Sequence, residues 1–273
     1  ANSSPGSFQY MEKLYGETKG LEKILEFYEK ELKGKEILFV NSIKNWENNP
    51  SFKYNYNYWK RKLDKKCYKF IMPNTKKEQF DKFKKYYDKL EEKPFLITPF
   101  IKIKKWLWEN KYNTAFNPLP VIDITIDKTI LYKNLKPNKF FKIPKTTICQ
   151  TKNEIIKLMN KPEFKKIVIK PKSGQDGKDV YIINSIRQLK KLDIENKEWI
   201  VQEKIKSKKH KFHNCDIRSF AIAGKYTGSF LRLLPHNFSK VLTKSKRTKM
   251  PKKYEEKIKL ATEEVVRQIN KML

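Results

Sequence analysis

Arginine is scarce in this chain: only six of its 62 basic residues are arginine (Arg61, Arg187, Arg218, Arg232, Arg247 and Arg267), and the rest are lysine. Surfaces that read bases or fork phosphates use the planar guanidinium. A formal charge of +32 carried by scattered lysine therefore reads as compositional bias rather than a nucleic-acid footprint, although the field attracts anionic partners. Cysteine is equally sparse. Cys67, Cys149 and Cys215 are far apart and odd in number, which excludes a disulfide framework and a zinc knuckle. Each is read as a small buried apolar residue, and a reducing, cytoplasmic setting is expected. No apolar run is long enough to cross a bilayer, so no membrane partner is expected, and no secretory leader is read. The three histidines, His210, His213 and His236, lie in polar segments and are read as surface residues. No Ser/His/Asp or Cys/His set suggests a protein nucleophile.

What is present supports folded domains. Hydrophobic residues make up 38% and aromatics 13%, enough for a packed core despite 34% charge. A helix is expected over residues 9–33, then a buried strand at Ile37–Val40. Alternating Phe52, Tyr54, Tyr56 and Tyr58 predict an edge strand or extended loop packed on its domain. Strands at 68–72 and 95–97 alternate with helices at 76–92 and 100–110, the pattern of a small α/β domain with a partly parallel sheet. A turn-rich stretch from Asn113 to Pro120 marks a boundary. Beyond it, helices are expected at 127–136, 151–161, 185–192 and 251–272. Thr151 or Asn153 would cap the second of these. Strands are expected at 167–171, 180–183 and 199–202. An antiparallel pair at 217–224 and 228–234 would turn at Lys225-Tyr226-Thr227.

Glycine is rare as well, with eight residues in 273, and two of them fall in one loop between apolar strands: Lys170-Pro171-Lys172-Ser173-Gly174-Gln175-Asp176-Gly177. A glycine-bearing hairpin exposes backbone N–H groups that can fold over phosphate oxygens. Hairpins use glycine anyway, so the loop alone decides nothing. Order and spacing add to it. Asp127-Lys128-Thr129 and Ile143-Pro144-Lys145-Thr146 precede the loop. Trp199-Ile200-Val201-Gln202-Glu203-Lys204-Ile205, Cys215-Asp216-Ile217-Arg218 and Phe230-Leu231-Arg232 follow it. Together these segments resemble the ATP-grasp superfamily, notably its glutathione-synthetase, RimK-type and tubulin–tyrosine-ligase-like members.

The resemblance covers residues 120–272 in motif detail and implies an α/β and α+β architecture. An N-terminal α/β domain (35–115) would follow a flexible end and helix (1–34). Two α+β subdomains (116–200 and 201–273) would then clamp a nucleotide. It implies that Lys128 and Lys170 neutralise ATP phosphates, and that Ser173, Gly174, Gln175 and Gly177 belong to a flap over them. Gln202, Glu203, Lys204 and Ile205 would form the adenine-gripping hinge, with Asp216 near the nucleotide. Arg218 and Arg232 would hold phosphate or an acyl-phosphate intermediate. A guanidinium fork matches phosphate bidentately, which is the physical reason to use arginine there. The implied activity is an ATP-dependent carboxylate–amine ligase. Its carboxylate substrate and amine nucleophile are open, with an acidic polypeptide as one acceptor. A kinase acting on an alcohol is a related alternative.

The family holds Mg²⁺ with an Asp and a Glu-x-Asn pair late in the chain. Here no Asp follows Asp216, and Glu255, Glu256, Glu263 and Glu264 lie on the last expected helix. Ligands beyond Leu273 are expected. A catalytically degenerate nucleotide-binding or scaffold protein is the alternative these missing carboxylates motivate. A basic nucleic-acid-binding protein is the other.

Overall fold

The computed structural model describes residues 14–16, 22, 26, 30, 36–42, 50–63, 67–72, 76–98, 100–112, 119–172, 179–194, 197–206, 209–210, 213–222, 224–234 and 246–273. They fall into two compact units, residues 1–123 and 124–273. The helix expected over residues 9–33 lies largely outside the described residues.

In the first unit β1 (Ile37–Ser42), β2 (Cys67–Met72) and β3 (Phe95–Ile97) form a parallel sheet of order β2-β1-β3. Every residue of β1 is buried, as a central parallel strand requires. Parallel neighbours need crossovers. These are α1 (Pro50–Leu63) and α2 (Lys76–Asp88), and α3 (Ile101–Glu109) follows β3. The edge strand expected from Phe52, Tyr54, Tyr56 and Tyr58 is therefore a helix. The crossover demand outweighs the alternation, and Pro50 suits a first helical position. Tyr56 meets Phe39 edge-on at 5.4 Å, and Tyr58 is buried. The core joins Leu38, Val40 and Leu96 to Phe83, Tyr87, Ile103, Trp106 and Leu107.

A helix the sequence reading did not anticipate, α4 (Leu119–Ile126), spans the boundary between the units. The second unit continues with α5 (Lys128–Asn134) and holds two antiparallel sheets. One has order β4-β7-β5-β6, from β4 (Thr146–Cys149), β5 (Ile167–Pro171), β6 (Tyr181–Ile183) and β7 (Trp199–Glu203). Ile167, Ile169, Ile183, Trp199 and Val201 pack with residues of α6 (Lys152–Met159) and with Leu189 of α7 (Ile186–Lys190). The other has order β11-β10-β9-β8, from β8 (Lys209–His210), β9 (His213–Ile222), β10 (Lys225–Leu233) and β11 (Lys246–Lys249). Helix α8 (Lys252–Asn270) packs on β9 and β10, where Glu263 accepts the Tyr226 N–H at 3.0 Å.

The β9–β10 turn lies at Gly224, φ +82°, not at Lys225–Thr227. A left-handed position favours glycine, so the reversal falls there, and the irregularity between Tyr226 and Gly228 lets Lys225 pair with Ile222. Cys149 is buried as expected, but Cys215, the third residue of β9, is only half-buried. The side chain of Cys67 lies outside the described residues.

Thr151 is the cap of α6. Its hydroxyl accepts the Glu154 N–H at 3.2 Å, while Glu154 accepts the Gln150 N–H at 2.9 Å. Thr151→Ala should cost about 1 kcal/mol. Urea unfolding should show it as a lower midpoint with an unchanged slope.

Candidate nucleotide site

Two cationic groups, on separate sheets of the second unit, carry the candidate chemistry. The first is built where α5 begins and β5 ends. Asp127 caps α5, accepting the N–H groups of Thr129 (2.8 Å) and Ile130 (3.4 Å). Burial opposes its ionisation, but hydrogen bonds from Thr129, Lys172 and Ile130 outweigh it and hold the carboxyl below the usual range. The cap fixes the start of the helix, and Lys128 is its first residue. Lys128 Nζ donates to the Lys172 carbonyl at 3.5 Å. Lys170 Nζ donates to Tyr132 Oη at 3.0 Å and lies 4.6 Å from that ring's centroid. Burial first, and the neighbouring Lys170 second, push the Lys128 ammonium below its ordinary pKa, against smaller opposing effects of Tyr132 and Asp127. The side chain of Lys172 bridges Asp127 at 3.4 Å and Glu198 at 3.1 Å. Ser173, Gly174, Gln175 and Gly177 lie outside the described residues.

The start of β7 borders this group, with Ile200 opposite Lys170, and its end lies opposite the start of β5, where Glu203 faces Ile167. Gln202 is buried, and its amide donates to Thr146 Oγ1 at 2.8 Å. Glu203 closes a two-way contact with Lys145: its carboxylate accepts the Lys145 N–H at 2.9 Å, and its own N–H reaches the Lys145 carbonyl at 3.0 Å. Lys204 donates its backbone N–H to Lys166 at 2.8 Å. The side chains of Gln202 and Glu203 thus bind β7 to its neighbours. Ile205 is 64% exposed, an unusual setting for an isoleucine and one suited to covering an apolar ring.

The second group stands on β9, β10 and β11. Arg232 faces Asp216 across the ladder and grips both carboxylate oxygens, with Nε to Oδ1 at 2.9 Å and a second contact from Nη2 to Oδ2. Arg218 faces Phe230, so the two arginines are diagonal neighbours on one face rather than a direct pair. Burial, then Arg232 and Arg247, lower the pKa of Arg218, while Asp216 opposes the shift. The structure thus joins Lys128 to Lys170, and Asp216 to Arg218 and Arg232. It adds Asp127, Tyr132, Lys172 and Arg247, which the sequence reading gave no role. A carboxylate just ahead of a helix is a cap signal, and arginine's rarity was the signal for Arg247. Nothing in the sequence marked Lys172 out among so many lysines.

Residues 125–218 match the family model of the ATP-grasp domain. An uncharacterized protein of Mycoplasma genitalium is 33% identical over 116 residues, 42% of this chain and 37% of that one. The chain therefore aligns with less than half of that relative's length. D-alanine–D-alanine ligase from Bacillus anthracis superposes with a TM-score of 0.56 at 17% identity, over 86% of this chain and 79% of that one. The ATP-grasp ligase PsnB, complexed with a minimal precursor, superposes at 0.51 and 10% identity, over 86% and 83%. The chain has the ATP-grasp fold, and the stretch that matches the domain model lies within the second unit.

Among the described residues no helix is long and apolar enough to cross a membrane. Nor do three His, Cys, Asp or Glu side chains among them group as a metal ion would need. On α8, Glu264 is engaged by Arg267 and Gln268, and Glu263 by Tyr226. These carboxylates do not fit a Mg²⁺ site.

Proposed function

We propose that the protein is an ATP-dependent carboxylate–amine ligase. The observation that carries this reading is the pair of cationic groups: a crowded lysine pair at the start of α5 and end of β5, and diagonal arginines on β9 and β10. Lys128 and Lys170 bind the phosphates. A second ammonium close by is unfavourable for Lys128 until a polyanion arrives, so the site is set for one. The exposed Ile205 side chain covers the adenine ring, with the backbone at Lys204–Ile205 beside it. Arg218 and Arg232 stand where charge moves. A carboxylate oxygen of the substrate attacks the γ-phosphorus and ADP leaves. The amine nitrogen then attacks the acyl carbon of the resulting acyl phosphate, inorganic phosphate departs, and the nitrogen loses its proton. The protein contributes positioning and charge compensation. Mg²⁺ is read as arriving with the nucleotide, and no described residue is assigned to it. The D-alanine ligase of Bacillus anthracis has been seen with ATP bound, in keeping with a nucleotide here. PsnB is bound to a precursor, and the net charge of +32 favours an acidic polypeptide as the acceptor. The absence of a grouped metal-binding set among the described residues favours one second reading, a nucleotide-binding scaffold without turnover.

The test is a thermal-shift titration with ATP and Mg²⁺, followed by phosphate-release assays with acidic peptides and amino acids. Saturation at a hundred times Kd should stabilise the fold by about 2.7 kcal/mol. No shift at millimolar ATP would sink both readings. A shift without phosphate release favours the scaffold. The pH dependence has a definite sign. Phosphate favours the ammonium form, so affinity holds below the lowered pKa of Lys128 and falls as pH rises through it. That loss should begin below the ordinary lysine value of 10.5.

A further inference from the structure

Helix α8 joins the sheet that carries the arginines to the helix that carries Lys128. At Glu263 it is bonded to the sheet, where the carboxylate accepts the Tyr226 N–H near the start of β10 at 3.0 Å. Five residues on, about 7.5 Å along the axis, Gln268 reaches Lys136, just past the end of α5. Its side-chain oxygen accepts the Lys136 N–H at 2.7 Å, and its Nε2 donates to the Lys136 carbonyl at 3.1 Å. Nε2 also donates to Glu264 Oε1 at 2.8 Å, and Arg267 Nε holds Glu264 in turn at 2.7 Å. The amide thus uses its acceptor and both of its donors. It meets the backbone of Lys136 as a neighbouring strand would.

Such a contact adds little to stability. The bonds to Lys136 lie at the surface, where water competes for the same groups, and ordering a glutamine side chain has an entropic cost. What they supply is direction. Helix α5 is seven residues long, so fixing its end fixes its start. The start is held as well: Asp127, the cap, is bridged by Lys172 from just past the end of β5. Helix α5 is therefore pinned at one end to the sheet of β5 and at the other to α8, which lies on β9 and β10.

We propose that Gln268 is a positioning residue of the nucleotide site. By tying α8 to the end of α5, it sets the arginines of β9 and β10 against the lysine pair, so that one ATP molecule meets both cationic groups at once. This rests on the reading of those two groups as a single ATP site. Without the tie the two groups hold their places relative to each other for only part of the time, and affinity falls by that fraction.

The experiment is calorimetric titration of the full chain with ATP, at a temperature where every variant is folded by its melting curve. Gln268→Ala should weaken ATP about tenfold, the loss expected when the aligned arrangement falls to about a tenth of the population. Lys136→Ala keeps the backbone that Gln268 grips and should change affinity by no more than about twofold, the share of a screened surface charge. The decisive readout is a double-mutant cycle with Arg218, which Gln268 does not bond. If Gln268 acts by aligning the arginines, its loss should cost no more than about twofold once Arg218 is alanine. Independent losses that multiply in Gln268→Ala/Arg218→Ala would overturn the inference, as would unchanged ATP affinity in Gln268→Ala, whatever its melting temperature. If Arg218→Ala and Lys170→Met lose affinity while Gln268→Ala does not, the two-group site stands and the tie falls. If none of the three changes ATP binding, both fall. Should Gln268→Ala not fold, Gln268→Asn keeps the amide but is one methylene too short to span to Lys136, and binding equal to the unsubstituted chain would overturn the inference.

Discussion

Arg218→Ala should lower ATP-dependent phosphate release by about a thousandfold, or about 4 kcal/mol of transition-state stabilisation. ATP affinity should fall far less. The reasoning starts from position. Arg218 is two residues from Asp216 on β9, opposite Phe230; the residue is exposed to solvent, although its guanidinium is crowded by its neighbours. Removing it opens no cavity and leaves the Asp216–Arg232 pair intact, so a loss of turnover is not a loss of fold. Arg232 is a poorer subject for the same experiment. Taking it away leaves Asp216 without its bidentate partner and adds a structural penalty to a catalytic one. Arg218→Lys keeps the charge without the fork and should recover only part of the rate. A rate unchanged in Arg218→Ala would remove this side chain from the chemistry. An effect confined to KM would make it a binding residue alone.

The second unit was the more legible in sequence, for a physical reason. Ile167–Pro171 and Trp199–Glu203 are runs buried on a sheet with helices α6 and α7, so continuous apolarity marks them. One cap was visible too, because Thr151 stands just ahead of an apolar-periodic stretch, whereas Asp127 reads as part of its helix and is in fact the cap. Helix α1 was not legible. Its aromatics alternate like a strand, and only the parallel pairing of β1 with β2, a long-range fact, requires a helix there. Leu119–Ile126 was missed for the complementary reason: it is rich in β-branched residues, and Pro120 sits early in it, where a helix tolerates proline.

The candidate site divides in the same way. Lys128, Lys170, Asp216, Arg218 and Arg232 were singled out by order along the chain. Their partners were not, because the contact of Lys170 with Tyr132 depends on how a helix meets a strand, and the place of Arg247 opposite Arg232 depends on register. Gln202 and Glu203 show the opposite case. The motif marks them for the nucleotide, whereas their side chains bond Thr146 and Lys145. What β7 presents at that end is backbone and the Ile205 side chain.

Lys170→Met should weaken ATP by about ten- to a hundredfold, the worth of a charge-assisted phosphate contact, and abolish the thermal shift at ATP concentrations that saturate the unsubstituted chain. The free protein should behave differently from one that has lost a structural lysine. Lys170 is one of two neighbouring ammonium groups, and it depresses Lys128. Its removal relieves that repulsion, so the melting temperature without ligand should hold or rise. The ammonium of Lys128 should recover toward its ordinary value, moving the alkaline limit of residual ATP binding to higher pH. Tyr132→Phe is the control. It removes the hydroxyl that accepts from Lys170 and leaves the ring beneath the ammonium, so the charge stays in place. ATP affinity should then change by no more than about threefold, the scale of one net hydrogen bond. A Lys170→Met protein that melts lower yet still binds ATP would mean that the lysine pair serves the fold, and the nucleotide would have to be held elsewhere.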